Sequence, residues 1–247
     1  MKQIDMGHSG LKASEIVMGC MRIDTLTEEQ LDTHVKTALE QGVTLFDHAD
    51  IYGAGTCEVN FGKLLKNQPH LRDMLLLQSK CGIRPGFYDL SKDYILTSVD
   101  GILKRLQTDY LDLLILHRPD TLLEPHEVAE AFDVLCSSGK VKHFGVSNMN
   151  SYQIDLLKTA VNQPLLVNQI QFSPLHAGIV TTGIQANTHF EGAVNRDGHV
   201  LEYSRIHKMT LQAWSPFQFG FFQGNYIDHP SFLELNKVLA RLASEKG

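Results

Sequence analysis

Leu45-Phe46-Asp47-His48-Ala49-Asp50-Ile51-Tyr52-Gly53 reads as the end of a buried strand and the start of a loop. The apolar run from Val43 to Phe46 stops at Asp47, and turn residues follow. A carboxylate where a strand emerges, with a tyrosine and a glycine just beyond, is expected at the mouth of an α/β barrel. There the strand C-termini surround one site. The rest of the chain then has to supply partners for Asp47 and Tyr52.

Working outward, residues 2–10 read as a short strand and a turn, and Ser14 to Met18 as an apolar-rich strand ending at Gly19. Thr27 with Gln30 predicts a capping box at the start of a helix. Leu31, Val35, Ala38 and Leu39 form that helix's apolar face, and Gly42 stops it. Downstream the alternation repeats. Helices are predicted over Glu58 to Leu65, Lys92 to Leu106, Glu127 to Cys136, Ser151 to Ala160, Leu201 to His207 and Phe232 to Ala243. Strands are predicted over Met74 to Leu77 (ending near Lys80), Leu111 to Leu116, Val141 to Val146, Leu165 to Ile170 and Met209 to Trp214. A longer polar segment runs from His176 to about His199.

Strand–helix alternation at this spacing implies parallel strands joined by right-handed crossovers. An open doubly wound sheet has the same alternation. The barrel is favoured because polar residues follow nearly every strand and no GxGxxG follows any of them. The expected fold is a single (β/α)8 TIM barrel domain over residues 1–247, with about seven barrel strands present and a short N-terminal strand or hairpin.

Hydrophobic residues are 43% of the chain and charged residues 20%, which supports a sizeable core. A net charge of −6 argues against a general surface for nucleic acid or anionic membrane. Cys20, Cys57, Cys81 and Cys136 form neither a CxxC pair nor a zinc-ligand spacing and read as reduced thiols, so a cytoplasmic location is expected. The N-terminus lacks an apolar signal region, and no apolar run approaches the length of a membrane span.

The strand ends collect Asp47 with Tyr52, Lys80, His117, Ser147 with Asn148, Gln169, and Trp214 with Ser215. An ammonium beside a phenol favours phenolate and lowers its pKa. A carboxylate can hold that ammonium in place, and a histidine can orient a carbonyl oxygen. Together they make a proton donor for a carbonyl that receives a hydride, which a cofactor must supply. Ser147, Asn148 and Gln169 suit a carboxamide, and Trp214 offers a flat face for stacking.

These residues lie in segments that resemble the aldo-keto reductase superfamily: Phe46 to Gly53, Gln78-Ser79-Lys80, Leu111 to Pro119, Gly139 to Asn148, Val167-Asn168-Gln169 and Ala213-Trp214-Ser215-Pro216. They follow the family's order over nearly the whole chain, and Gly19-Cys20-Met21-Arg22 looks like a bacterial branch. The resemblance implies a barrel that binds NADPH, or NADH, across its top and reduces a small carbonyl substrate. It implies Tyr52 as general acid, Asp47 and Lys80 as the pair that tunes it, and His117 as the residue orienting the carbonyl. Ser147, Asn148 and Gln169 would hold the carboxamide, with Asp47 nearby, and Trp214 would stack on the nicotinamide. Ser215, Phe217 and Gly220 would follow the pyrophosphate. Gly19, Met21 and Arg22 would lie beside the cofactor, with Met21, Arg22 and the loops 21–26, 82–91, 118–125 and 217–230 also contacting substrate.

Taken singly, each residue has a plainer reading: Asp47 as a turn residue, Tyr52 and Trp214 as packing, Ser147-Asn148 as an N-cap. Only their joint occurrence in register overrides these. Asp47-His48-Ala49-Asp50 can suggest metal ligands, but the later ligands of a barrel metallohydrolase are not evident, so no metal is expected. A regulatory, cofactor-binding subunit is the alternative to an enzyme, because channel-associated β subunits of this family keep the same four residues. The family pattern continues past Gly247 with an eighth strand and with the basic residues that grip the adenosine 2′-phosphate. The expectation is therefore that this chain is part of a longer one.

Overall fold

The computed structural model describes residues 1–185, 191, 199–220 and 223–246. Its centre is a parallel sheet of strands β1 Val17–Gly19, β2 Leu45–Asp47, β3 Leu76–Cys81, β4 Leu111–Leu116, β5 Val141–Ser147, β6 Leu165–Gln171 and β7 Thr210–Trp214. They lie side by side in chain order, every pairing parallel. The crossovers carry helices α1 Glu28–Glu40, α2 Thr56–Asn67, α3 Lys92–Leu106, α4 Pro125–Ser137 and α5 Ser151–Lys158. Helices α6 Gly178–Ile184 and α7 Val200–Ile206 separate β6 from β7, and α8 Leu233–Lys246 follows.

The sheet curls into an incomplete (β/α)8 barrel. Gln78 on β3 and Gln212 on β7 have β4, β5 and β6 between them, yet they exchange hydrogen bonds of 3.1 and 3.2 Å. Strand periodicity then sorts the side chains into two compartments. Leu45, Leu113, Ile115 and Val167 cluster inside the barrel with Met6 and Ala13. Phe46, Leu77, Leu114, Leu116, Phe144 and Val146 pack outward against the helices. Burial falls away from the middle of the sheet. Every residue of β4 is buried, whereas β1 and β7 have none that is, and these two edges do not pair with each other among the described residues. No described residue of α8 is buried.

Local chemistry fixes the starts of α1 and α5. Thr27 and Gln30 form the predicted capping box, and Asn150 with Gln153 forms a second one at α5. Gly62 lets α2 and α3 meet closely, since a Cβ there would lie 2.0 Å from the Arg105 carbonyl oxygen.

Three expectations need correction. The predicted strand Ser14 to Met18 divides in two. Lys12–Ser14 pairs antiparallel with Gln3–Asp5 in a hairpin that caps the lower end of the barrel, and β1 begins only at Val17. At the break Ser14 and Thr44 bond reciprocally through side chain and backbone N–H, at 3.0 and 2.9 Å. The strand expected from Met74 starts at Leu76, because Pro69–Met74 forms a 3-10 helix. The loops 82–91 and 217–230 hold hairpins, Ile83–Arg84 with Phe87–Tyr88 and Gln218–Phe219 with Gly224–Asn225. Their strands are too short to show a period in sequence. The polar stretch contains α6, while residues 186–190 and 192–198 lie outside the described residues.

Candidate active site

Alternation along β2, β3 and β4 turns Asp47, Lys80 and His117 toward the same side as the interior cluster, at the upper end of the barrel. Lys80 is fully buried and central. Its Nζ lies 2.7 Å from Asp47 Oδ1, and it donates to Asp47 Oδ2 at 2.9 Å, to the His48 carbonyl at 2.7 Å and to Tyr52 Oη at 3.0 Å. Tyr52 opens a 3-10 turn, Tyr52–Gly55, in which Gly53 takes a φ of 56° and Ala54 one of 52°. The His117 ring meets the Tyr52 ring edge-on, with centroids 6.0 Å apart. Sequence placed these four residues at three strand ends, and the fold brings them together.

Burial governs their protonation. It pushes the Tyr52 phenol above its ordinary pKa; Lys80 pulls the other way but does not overcome it. The expected lowering of Tyr52 by its lysine is thus real as a contribution and reversed in sum. Burial also opposes charge on Lys80, but Asp47 and Tyr52 outweigh it and hold the ammonium above its usual range. Desolvation, then Lys80 and Arg118, lower His117 to about 2, so the ring is a neutral imidazole at physiological pH. His48, buried edge-on against Phe61, is lowered to about 3 chiefly by the same desolvation. The site is therefore a neutral phenol and a neutral imidazole beside one carboxylate-held ammonium, Lys80.

A second set lies at the ends of β5, β6 and β7. Ser147 Oγ donates to the Gln169 carbonyl at 2.8 Å, and Asn148 Nδ2 donates to Ser147 Oγ at 2.9 Å. Trp214 Nε1 donates to Asn148 Oδ1 at 3.3 Å. Asn148 reaches this position from a left-handed backbone, φ 55°. Beyond Trp214, Ser215 (φ 49°) and Gly220 (φ 57°) turn the chain, and Gln171 Nε2 ties the Gly220 carbonyl to β6 at 2.9 Å. Phe217 in this loop is exposed. A cleft of ≈ 410 Å³ beside Trp214 is lined by Arg118, Asn148, Gln153, Gln171 and His176 among others. Gly19 and Arg22 line a different cleft, between the exposed β1 edge and α1, while the Met21 carbonyl accepts from Cys57 Sγ at 3.4 Å.

A sequence model of the Aldo/keto reductase family matches residues 15–247. The chain belongs to the aldo/keto reductase family. It is 41% identical over 192 residues to the oxidoreductase YdhF of Escherichia coli (strain K12), a match covering 74% of this chain and 64% of the relative's length. It is 37% identical over 231 residues to a 6-dehydroglucose reductase of Agrobacterium fabrum, covering 87% of this chain and 72% of that protein. Among solved structures, the thermostable aldo-keto reductase Tm1743 superposes with a TM-score of 0.76 at 24% identity, covering 99% of this chain and 81% of that one. The last match bears on the fold.

Two features of this aldo/keto reductase were not weighed from sequence. Gln78 and Gln212 face the barrel interior, and Gln78 Nε2 donates to Asp47 Oδ1 at 2.5 Å. Strand parity was the available signal, because Gln78 precedes Lys80 by two residues and Gln212 precedes Trp214 by two. On the opposite face of β3, buried Glu58 accepts from Ser79 Oγ at 2.6 Å and from Arg105 Nε at 2.7 Å. Neighbouring Asp50 is raised to about 7 by burial and then by Glu58. Among the described residues, no group of three or more His, Cys, Asp or Glu is arranged to hold a metal, and no helix is long and apolar enough to cross a membrane.

Proposed function

We propose that this chain carries the active site of an NAD(P)H-dependent reductase that converts an aldehyde or ketone reversibly to an alcohol. The observation that carries the proposal is the Lys80 ammonium, shared between the Asp47 carboxylate and the Tyr52 hydroxyl. Tyr52 is the general acid: a neutral phenol at working pH, it gives its proton to the carbonyl oxygen. Lys80 stabilises the phenolate that remains, and Asp47 keeps Lys80 charged and in place. His117, neutral, donates an N–H that orients the carbonyl oxygen.

The donor set at β5 to β7 fits a nicotinamide cofactor. A carboxamide offers one acceptor and an NH2 group. Asn148 Nδ2, which donates to Ser147 Oγ, keeps a second hydrogen for the acceptor. Gln169 has its NH2 end on Gln212, so the end it offers is the carbonyl oxygen. Trp214 would give the flat face, and Ser215, Phe217 and Gly220 would hold the pyrophosphate. Gly19, Met21 and Arg22, at and just beyond the end of β1, would flank the cofactor, and Asp47 would lie near it. When bound, the cofactor supplies the hydride. We assign NADPH as this cofactor, with NADH as the second candidate. The polar cleft beside Trp214 and the name of the Agrobacterium relative support a hydroxylated carbonyl substrate. The unpaired thiols Cys20, Cys57 and Cys81, all buried, support a reducing, cytoplasmic setting.

The test is oxidation of NADPH and of NADH by the purified protein with a panel of aldehydes, ketones and sugar carbonyls. Steady multiple turnover is expected. Cofactor binding with at most a single turnover on every substrate would favour the regulatory-subunit alternative instead.

A further inference from the structure

The reductase reading leaves the two interior glutamines unused, although they sit between its two halves. Gln78 Nε2 donates to Asp47 Oδ1 at 2.5 Å and to Gln212 Oε1 at 3.1 Å. Gln212 Nε2 returns a bond to Gln78 Oε1 at 3.2 Å. Gln169 Nε2 donates to the same Gln212 Oε1 at 3.2 Å. The two hydrogens of the Gln78 amide are thereby assigned, one to the carboxylate and one to its partner amide, and the network has a single consistent set of amide orientations.

We propose that Gln78 and Gln212 are positioning residues, an amide bridge across the barrel that holds the Gln169 side chain and the Asp47 carboxylate in one hydrogen-bonded line. This inference rests on the proposed roles of Gln169 and Asp47. Physically, the bridge does two things. It commits the NH2 end of Gln169 to the protein and leaves the acceptor end for a carboxamide. It also fixes Asp47 against rotation about its own carboxyl axis, and through Asp47 it fixes Lys80 and Tyr52. Gln78 is fully buried, so its amide has no water to fall back on and stays in the line.

The discriminating variants are Gln78→Met and Gln212→Met, which keep side-chain length and remove the amide. Trp214 is the only tryptophan, so quenching of its fluorescence on titration with NADPH or NADH reads binding without turnover. Gln212→Met is expected to weaken that binding by about 3–10-fold and to lower kcat by a similar factor, the loss of one or two buried hydrogen bonds. Gln78→Met is expected to lower kcat with little change in cofactor Kd, and to move the pH profile of kcat. Gln212→Glu keeps the acceptor for Gln169 but, when ionised, sets its second oxygen against Gln78 Oε1 in place of a donor; it is expected to bind cofactor more weakly than the parent, with the loss shrinking at low pH as the acid regains a donor, and it serves if the methionine variant does not fold. Folded methionine variants with parental Kd, kcat and pH profile would overturn the bridge while leaving the reductase reading intact. A parent that binds cofactor but reduces no carbonyl would end the reductase reading, and the Kd values would still decide the bridge. A parent that binds neither cofactor overturns both.

Discussion

Lys80 donates to the Tyr52 hydroxyl at 3.0 Å from a side chain with no solvent exposure. An ammonium in that position stabilises a phenolate more than a phenol, so its effect is largest after the proton has left. Removing the hydroxyl removes the proton donor and one acceptor of Lys80, which keeps Asp47 and the His48 carbonyl, while the Tyr52 ring keeps its edge-on contact with His117. Tyr52→Phe is expected to lower kcat for carbonyl reduction by on the order of 10²–10⁴. Cofactor affinity, read from Trp214 fluorescence, is expected to stay at the parental value. Parental turnover in this variant would remove Tyr52 from the role of acid.

The same lysine has a structural cost attached. Asp47 and Lys80 form an ion pair in which the lysine is wholly buried and the aspartate nearly so. Deleting one partner strands the other charge. Lys80→Met is expected to destabilise the fold by about 3–5 kcal/mol in urea titration. The double variant Asp47→Asn with Lys80→Met, which strands no charge, is expected to lose less than the sum of the singles. Additive losses would mean that the pair is not coupled in the folded state.

Gly62 is the contact point between α2 and α3. An added methyl group would meet the Arg105 carbonyl oxygen at 2.0 Å and the Leu106 carbonyl carbon at 2.8 Å, both backbone atoms that no side-chain rotation can clear. The helices must then separate, and the Arg105–Glu58 bond bridging them must lengthen. Gly62→Ala is expected to cost about 3 kcal/mol or more, the upper range for overpacking. A thermal midpoint within a degree or so of the parent's would contradict this packing.

Much of this arrangement was legible in the sequence because it rests on local rules. The strand at Leu111 to Leu116 and the helix at Lys92 to Leu106 have the bounds their apolar periods predict. Thr27 and Gln30 announce their own cap. Asp47, Lys80 and His117 each follow an apolar run, and parallel topology then requires that their strand ends converge. What stayed hidden depends on geometry that no local period carries. The Gln78–Gln212 bond needs the sheet's curl to bring β3 and β7 together. The bonds at the Ser14 break need Thr44, distant in sequence. The direction of the Tyr52 shift needs the degree of burial, which outweighs the nearby charge.

Asp50 gives the fold a pH dependence of definite sign. Its Oδ1 is buried without a hydrogen-bond partner, and burial together with Glu58 raises the carboxyl to about 7. In the unfolded chain the same group titrates near the ordinary aspartate value of 3.8. Between these two values the folded protein holds a proton that the unfolded chain has released. Stability from this group is therefore fully present below about pH 4 and is lost as pH rises through about 7. Asp50→Asn keeps the shape and removes the titration. It is expected to be more stable than the parent by roughly 1–3 kcal/mol at pH 8 in urea titration, a gap that shrinks as pH falls toward 4. His48 and His117, held neutral at pKa values of about 3 and 2, act in the opposite sense. They withdraw stability as pH falls below about 6.5, equally in parent and variant, so the difference between the two proteins isolates Asp50. A gap of the same size at pH 5 and pH 8 would show that the variant acts by some route other than the carboxyl's charge.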